Sequence, residues 1–462
     1  MHAGVAVTAR KWVAVSSLYA VGYLLVIASF LASNRAEMKR QWITHYLMIP
    51  GESQKTAALF FVAALVCIGV GYAILLRWAL SGDTMVAVHG KMRVFIISLI
   101  LLFASMPPFL DVDIFNYYQQ GWVVAEMGAS PYVLPAGAFG DYPGRELTRG
   151  ANGFALSPYG AIWTQIERLT VEASGGSLWV GIVLFKVYAA IASIAIVLLT
   201  AAISRRLESS QGSWAIIAVG ANPLLLIEGA GMGHNDVIAL AVVVLGIWLQ
   251  LRVMDKKWVG LTILGLASLI KVTVAPAILV LVHWLLRVRK SLGETCLTLA
   301  KVAVPVILML IIAGAPFISQ VRDIPLLFAF ANVNLGYELG LTPVNFVSTI
   351  LVDRFASAGV EVSASGIKAV VLAVSLGLGA SASLWMLSRS RTWESYIGTL
   401  GPIYLIATVV VSYWRPWYVL WPLSLVMLGP WSKWTAVIIV YSFLAVGTQV
   451  ITRSTGIFCG CI

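Results

Sequence analysis

The sequence predicts an all-α integral membrane protein with about thirteen transmembrane helices, because apolar stretches of span length recur along the chain. The composition agrees: 60% of the 462 residues are hydrophobic, 11% are charged, and the mean hydropathy is +0.90. Charged residues make up roughly a quarter of an ordinary soluble domain. A soluble fold of this length could not bury so much apolar surface in one core, so lipid is the expected solvent.

The predicted spans are apolar runs of about 20 residues, or shorter runs where a helix is broken. They lie at 12–33, 56–79, 92–110, 178–203, 213–230, 236–251, 258–270, 272–287, 299–318, 366–387, 395–413, 417–430 and 434–451. The pair 258–270 and 272–287 is short on both sides of Lys271 and fits either two spans or one re-entrant hairpin. No internal repeat interrupts the chain, so we expect one membrane-embedded domain over residues 1–462.

Short basic loops predict the orientation in the cell membrane. They share one side, which the positive-inside rule assigns to the cytoplasm. They are Arg205 with Arg206, Arg252 with Lys256 and Lys257, Arg287 with Arg289 and Lys290, and Arg389 with Arg391. Two long segments, 111–177 and 319–365, then form outer loops, and the first is expected to carry short helices. The basic segment 34–55 also falls outside under this count, so the arrangement of the first two spans stays open.

The net charge of +11 could indicate nucleic-acid binding in a soluble protein. In a membrane protein it is expected from cytoplasmic Lys and Arg, so we expect membrane lipids and no nucleic acid as partners. The four cysteines give neither a disulfide framework nor a zinc spacing, and Cys459 and Cys461 are too close together to pair without strain. We therefore expect no metal and no other cofactor.

Two carboxylates, Asp111 and Asp113, follow the prolines that end the third predicted span. If a helix begins there, Asp113, Tyr117, Gln120 and Gly121 share one face. Such a stripe suits a sugar hydroxyl, because the carboxylate takes a proton, Tyr and Gln orient the sugar, and Gly leaves room. Aspartate is also a favoured helix N-cap. We expect one of the two aspartates to cap the helix and the other to act as the base.

Two turns follow in the same segment, at 128–132 and 157–160, and they provide Tyr132 and Tyr159 as candidate substrate contacts. Pro and Gly form such turns for structural reasons alone, so each turn fits a structural or a functional interpretation equally well.

Four polar residues lie between two apolar spans: Glu228, His234, Asn235 and Asp236. Polar groups in that position are costly unless they face water or a partner. Capping of the next span explains Asn235 or Asp236 but not His234 together with Glu228. A functional role is therefore favoured.

Two cations, Lys271 and Arg415, are placed where each must find an anion. Lys271 separates two short apolar halves, and Arg415 lies in an aromatic stretch, 413–418, at an outer boundary. A lipid phosphate is a natural partner for both. The alternatives are snorkelling of the side chains to headgroups and an ordinary interfacial belt of Trp and Tyr.

Taken in order, these motifs resemble the GT-C superfamily, and within it the polyprenol-phosphate-mannose-dependent mannosyltransferases, including the α-1,6-mannopyranosyltransferases of actinobacterial lipoglycan synthesis in the cell envelope. The likeness covers roughly residues 105–290. It rests on Asp113-Ile114-Phe115-Asn116-Tyr117 with Gln120-Gly121, Pro131-Tyr132, Ser157-Pro158-Tyr159-Gly160, Asn222-Pro223 and Gly233-His234-Asn235-Asp236. Two extra spans precede the catalytic loop's own span. The sequence also has no large soluble C-terminal domain, which argues against an oligosaccharyltransferase.

The resemblance implies a GT-C-like fold and a glycosyltransferase that moves a hexose, by likeness mannose. The donor would be a polyprenyl-phosphate sugar and the acceptor a hydroxyl of a glycolipid or glycan on the extracytoplasmic face, with inversion and without a metal. By its spacing to Tyr117, Asp113 matches the family base, with Asp111 as the other candidate. Arg415 and Lys271 are candidate phosphate partners. The other candidate substrate contacts are Tyr117, Gln120, Tyr132, Tyr159, Glu228, His234, Asn235 and Asp236.

Two other classes of protein share some of these features. A transporter or lipid flippase would have the same spans and intramembrane charges, but transporters often show inverted repeats and paired broken helices. Only one short broken pair is found here. A ligase that moves a whole glycan from a lipid diphosphate would be expected to hold more cations than Lys271 and Arg415.

Overall fold

The computed structural model describes residues 2–33, 54–80, 85–147, 153, 155–207, 212–256, 258–288, 291–317 and 342–455. Every regular element in these residues is helical, which confirms the predicted all-α class. Three predicted features lie outside them: most of the basic segment 34–55, residues 318–341 of the second predicted outer loop, and the terminal Cys459 and Cys461.

The α-helices are numbered here in chain order within the described residues. They are α1 His2–Ala32, α2 Gln54–Leu80, α3 Met85–Ala104, α4 Asp113–Ala125, α5 Ala161–Ala173, α6 Leu178–Leu207, α7 Gly212–Gly220, α8 Asn235–Arg252, α9 Trp258–Ser268, α10 Ala275–Val288, α11 Leu292–Gly314, α12 Pro343–Ser357, α13 Ala364–Arg389, α14 Trp393–Val410, α15 Leu420–Val426 and α16 Lys433–Thr455. Short 3₁₀ helices form at Ala136–Phe139, Val272–Val274, Ala315–Phe317 and Pro416–Val419, and a π-helical segment covers Leu225–Gly231.

Six helices of the described chain are long and apolar enough to cross a membrane, or seven if one bent pair counts as a span. They are Arg10–Ala32, Lys55–Leu80, Leu178–Leu207, Asn235–Arg252, Leu292–Phe317 and Ala364–Arg389. The last two expose most of their apolar side chains, which need lipid around them. The molecule is a membrane protein, and the prediction of about thirteen spans is not confirmed.

The predicted span 213–230 is a bent pair of helical segments, which still counts as one span if the pair crosses the membrane together. Helix α7 and the π-helical segment Leu225–Gly231 meet at an angle of 63°. Pro223 at the bend has no N–H to continue the helix. The buried side chain of Asn222 replaces the missing bonds, since its Oδ1 accepts the N–H of Leu224 at 2.9 Å and its Nδ2 donates to Ser442 Oγ at 3.0 Å.

Two further predicted spans differ from the helices that form. Helix α3 covers Met85–Ala104, so it begins and ends earlier than the predicted span 92–110. It ends there because prolines at 107 and 108 bias the residues before them away from the helical region. The predicted span 417–430 forms the 3₁₀ helix Pro416–Val419 and then the seven-residue α15. Their total length falls well short of the roughly 20 residues of a span.

Part of the second predicted outer loop, 319–365, is a helix. Residues of α12 pack against α13, and the Thr342 hydroxyl caps α12 by accepting the N–H of Asn345 at 3.1 Å. Phe346 and Ile350 on α12 are exposed. The apolar, exposed face of this helix was not expected of an aqueous loop.

Helices α4 and α5 belong to the segment 111–177 and pack closely together. A Cβ added at Gly121 would lie 2.4 Å from the carbonyl oxygen of Glu167 on α5. The glycine that was predicted to leave room for a sugar therefore leaves room for the neighbouring helix.

The turn at 157–160 docks onto the break between α9 and α10. The N–H of Gly160 donates to the Ile270 carbonyl at 3.1 Å, and the N–H of Ile162 donates to the Leu269 carbonyl at 3.0 Å. A Cβ at Gly160 would lie 2.3 Å from the Leu269 carbonyl oxygen, so this approach requires glycine. The docking brings Tyr159 next to Lys271, with the ammonium 5.5 Å from the ring centroid.

Candidate active site

The two aspartates at the start of α4 have different surroundings. Asp111 Oδ1 accepts the N–H groups of Val112 at 2.7 Å and Asp113 at 2.9 Å, so this side chain stabilises the beginning of the helix. Asp113 is the first residue of α4, and its side chain is 20% exposed. Its Oδ2 lies 3.6 Å from Nδ1 of His234, which is an ion-pair contact longer than a normal hydrogen bond.

The two aspartates have different pKa values because their neighbours differ. Burial, the largest effect, and the charge of Asp113 raise the pKa of Asp111 above its usual range, while Arg415 and His234 oppose the rise. Burial also acts to raise the pKa of Asp113, but His234, Arg415 and Lys271 together hold it below its usual value. Asp113 is therefore the carboxyl that stays ionised at neutral pH.

His234 is a buried imidazole with a carboxyl on each side. Its Nε2 lies 3.3 Å from Oε2 of Glu228, and its ring stacks on Trp417 with centroids 3.7 Å apart. Burial lowers the pKa of His234, but the close contacts with the Asp113 and Glu228 carboxyls and the charges of Asp113 and Asp111 raise it above the ordinary value. The imidazolium form is favoured.

A second cluster surrounds Asp236, which is fully buried. Its Oδ2 pairs with Lys271 Nζ at 2.5 Å, and its Oδ1 accepts the indole N–H of Trp421 at 2.9 Å. Asn235 Oδ1 accepts from Lys271 Nζ at 3.1 Å and from the Tyr117 hydroxyl at 3.3 Å. These contacts join α4, α8, α15 and the break between α9 and α10.

Lys271 and Asp236 therefore stabilise each other as a buried ion pair. Removing one partner of such a pair typically costs about 3–5 kcal/mol, because the other charge stays buried without compensation. We expect Asp236→Asn to lower the melting temperature in detergent markedly, and Asp236→Asn with Lys271→Met to recover much of the loss. A double variant no more stable than the single one would contradict this account of the pair.

Arg415 lies in the segment before the 3₁₀ helix Pro416–Val419. Its Nε donates to the Tyr413 hydroxyl at 3.1 Å, and its guanidinium lies 5.5 Å from the centroid of the Trp417 ring. Asn345 on α12 fixes the same segment by donating to the Ser412 carbonyl at 2.9 Å. No carboxylate forms an ion pair with Arg415 within the part of the chain that the structure describes.

The remaining candidates are placed around this core. Tyr159 faces Tyr117, with ring centroids 5.4 Å apart. Tyr132 contacts Thr164 through its hydroxyl at 2.9 Å and Phe317 through its ring, in a smaller cluster of its own. Gln120 is buried, and its Oε1 has no hydrogen-bond partner among the described residues. Arg415 lies close enough for its charge to act on Asp111 and Asp113. The contacts place nine others of the twelve candidates in two adjacent clusters. They are Asp111, Asp113, Tyr117, Tyr159, Glu228, His234, Asn235, Asp236 and Lys271.

Three buried residues near these clusters were missed or misread from the sequence. Trp417 was assigned to an interfacial belt, yet it is buried against His234. Lys186, in the middle of α6, donates to the Gly231 carbonyl, and a lysine within an apolar span was the available signal. Glu167 is fully buried, and both its oxygens lack a hydrogen-bond partner among the described residues. Burial raises its pKa well above the usual range.

Comparison with known proteins assigns the chain to a family. The family described as α-(1→6)-mannopyranosyltransferase, N-terminal domain, matches residues 16–287, which is more than half of the chain and includes Asp113 and Lys271. Arg415 lies beyond the matched residues. No solved structure matches the chain.

Two curated proteins are similar over most of the length. The chain is 25% identical over 393 residues to α-(1→6)-mannopyranosyltransferase A of Mycobacterium tuberculosis, which covers 79% of this chain and 71% of that protein. It is 23% identical over 432 residues to α-(1→6)-mannopyranosyltransferase B of Corynebacterium glutamicum, which covers 84% of this chain and 68% of that protein. With its apolar helical fold and its cluster of charged residues around Asp113, the chain belongs to the α-(1→6)-mannopyranosyltransferase family of membrane proteins.

Proposed function

We propose that this protein transfers a mannosyl residue from a polyprenyl-phosphate donor to a hydroxyl of a glycan or glycolipid on the extracytoplasmic face of the cell membrane. The observation that carries the proposal is that an ionised, partly exposed Asp113 lies near Arg415, which forms no ion pair with a carboxylate among the described residues. Mannose is chosen because the relatives are named mannopyranosyltransferases.

The proposed reaction is a single displacement at the anomeric carbon. The acceptor oxygen forms the new glycosidic bond while its proton passes to Asp113. The bond between the anomeric carbon and the phosphate oxygen breaks, and polyprenyl phosphate leaves with the electron pair. Arg415 stabilises the charge that grows on the leaving phosphate. The configuration at the anomeric carbon is inverted, so an α-linked product requires a β-linked donor.

Arg415 serves as the first phosphate partner, and Lys271 takes a supporting role. Lys271 is already neutralised by Asp236 and lies between the rings of Tyr159 and Tyr418, at 5.5 and 5.4 Å from their centroids. Arg415 has no such partner within the described residues, and its guanidinium can present two donors to phosphate oxygens. Because a fixed cation serves the leaving group, we propose that transfer continues in the presence of a chelator.

The basic loops support an orientation in which the start of α4 lies on the side opposite Arg205, Arg252 and Arg389. Met127→Cys, in the exposed turn after α4, should react with an impermeant thiol reagent in intact cells. Labelling only after the membrane is opened would place the site on the cytoplasmic face instead.

The proposal is tested with purified full-length protein in vesicles. Radiolabelled mannosyl-phosphoryl-polyprenol and an α-1,6-linked mannoside acceptor should yield an acceptor longer by one hexose together with polyprenyl phosphate. The same vesicles given a nucleotide sugar should yield none. Donor that crosses the bilayer unmodified, with no longer acceptor, would instead indicate a flippase.

A further inference from the structure

We propose that Glu228 and His234 form a positioning pair behind Asp113, in which Glu228 holds the His234 imidazole and the imidazole holds the Asp113 carboxylate towards the acceptor hydroxyl. The inference rests on the proposed transferase function and extends it to residues that do not touch the substrate. Its failure and the failure of the proposed function give different results in the experiment below.

The three side chains form a row that runs from the site into the protein interior. Asp113 is 20% exposed, His234 is 1% exposed, and Glu228 is 0% exposed. Each carboxyl faces a different nitrogen of the imidazole, at 3.6 Å for Asp113 and 3.3 Å for Glu228. An imidazolium can donate to both at once, whereas a neutral imidazole can donate to only one.

The imidazole is held in this orientation by its neighbours. Trp417 stacks on it with an interplanar angle of 18°, which leaves the ring edges free for the two carboxyls. Gly233 adopts a φ of +76°, and this turn places His234 at the N-cap of α8 with extended backbone. The His234 side chain makes no cap hydrogen bond, so it does not serve the helix.

Glu228 is a fully buried carboxyl in a π-helical segment, and both features cost free energy. A carboxyl removed from water is expensive unless it is paired. The π-helical segment that carries it is a rare geometry that occurs often at functional sites. If this position only had to fill space in the core, an apolar side chain in an ordinary α-helix would be sufficient. The position of Glu228 is explained if its carboxyl holds His234 in place.

Several other charged groups lie close to Asp113, His234 and Glu228 and affect their protonation. Asp111 precedes Asp113, Arg415 acts on both aspartates, and the Asp236–Lys271 pair lies at the start of α8. Lys186 on α6 reaches the turn at 231–233. Among the carboxyls, Glu228 and Asp113 are the two in direct contact with His234. Removing Glu228 therefore lowers the pKa of His234, and the imidazolium that faces Asp113 is then lost at a lower pH.

The test compares transfer rates in vesicles between about pH 6 and pH 10, because the alkaline side of such a profile reports the group that must stay protonated. For Glu228→Gln we expect the pH at which kcat falls on the alkaline side to drop by about one unit or more, because His234 loses one close opposite charge. His234→Gln should lower kcat and remove this alkaline fall, because its amide does not titrate. Glu228→Asp, which keeps a carboxylate, should stay close to the wild-type profile.

Glu167→Gln is the matched control. Glu167 is also a fully buried carboxyl in the same half of the protein, but burial already favours its neutral form, so the amide replaces like with like. Its pH profile should match wild type. The KM for the donor should change less than about threefold in Glu228→Gln, because positioning of the base affects kcat.

A double-variant cycle separates the pair from a general loss of structure. If Glu228 acts through His234, then Glu228→Gln causes no further change in a His234→Gln background. A further change in that background, or a wild-type profile in both single variants, would overturn the positioning pair while leaving the transferase intact. Unchanged activity in Asp113→Asn would instead defeat the proposed function. If Glu228→Gln does not fold, as judged by gel filtration, the profiles of His234→Gln and Glu228→Asp decide.

Discussion

Replacing Asp113 with asparagine is expected to lower kcat by about 10²- to 10⁴-fold, the usual contribution of a positioned general base. The amide has nearly the same shape and can still face His234, but it cannot accept the proton of the acceptor hydroxyl. The donor KM should change little, because the phosphate contacts are untouched. Initial rates of mannosyl transfer in vesicles measure both parameters.

Asp111→Asn is the control that distinguishes the two aspartates. Its Oδ1 accepts two N–H groups at the start of α4, and an asparagine oxygen can accept the same bonds. We expect activity within about tenfold of wild type, since Asn and Asp are comparable at helix starts. Loss of activity in Asp111→Asn with near-normal turnover in Asp113→Asn would move the base by two residues.

Replacing Arg415 with glutamine is expected to reduce kcat/KM for the donor by about 10²- to 10³-fold, comparable to the loss of one charge-stabilising donor at a developing oxyanion. Arg415→Lys should recover part of the loss, because it keeps the charge but loses the two-pronged geometry. The assay is donor-dependent transfer at a saturating acceptor concentration.

Arg389→Gln is the matched control for the arginine. Arg389 also lies over an indole, that of Trp385 at 4.2 Å, but at the end of α13 on the side predicted to be cytoplasmic. It should leave kcat/KM close to wild type. An equal loss in both variants would mean that the effect of Arg415 comes from membrane insertion or folding and not from the phosphate.

Much of the site could be predicted from the sequence because its parts are local. Asp113 and Tyr117 are four residues apart on one helix, and Asn235 and Asp236 begin another. Their residue types and order were enough to predict a carboxylate site beside a polar turn. The role of Asp111 at the helix start was also expected of one of the two aspartates, since a helix start needs an acceptor for its free N–H groups.

The pairing of distant residues could not be predicted. Lys271 was predicted to bind a phosphate. Its ammonium instead pairs with the carboxylate of Asp236, which is 35 residues away in the chain. Trp421 completes that pair from the far end of the sequence. Composition and spacing carry no information on such long-range contacts, which depend on how the broken helices pack.

Span boundaries failed for a related reason. The segment 213–230 is apolar apart from Ser213, Asn222 and Glu228, so hydropathy predicts one span and gives no sign of the bend that Pro223 and the Asn222 hydrogen bonds produce. The region 417–430 is apolar because it is buried in protein and not because it crosses lipid. Hydropathy alone does not distinguish these two solvents.

The most direct test of the account is a structure of the protein in a lipid environment with a non-hydrolysable mannosyl-phosphoryl-polyprenol analogue bound. We expect the phosphate of the analogue within hydrogen-bonding distance of Arg415, and its anomeric carbon on the side of Asp113 that faces away from His234. An analogue bound elsewhere, or an Asp113 carboxylate turned away from the sugar with no groove leading to the bilayer, would contradict it.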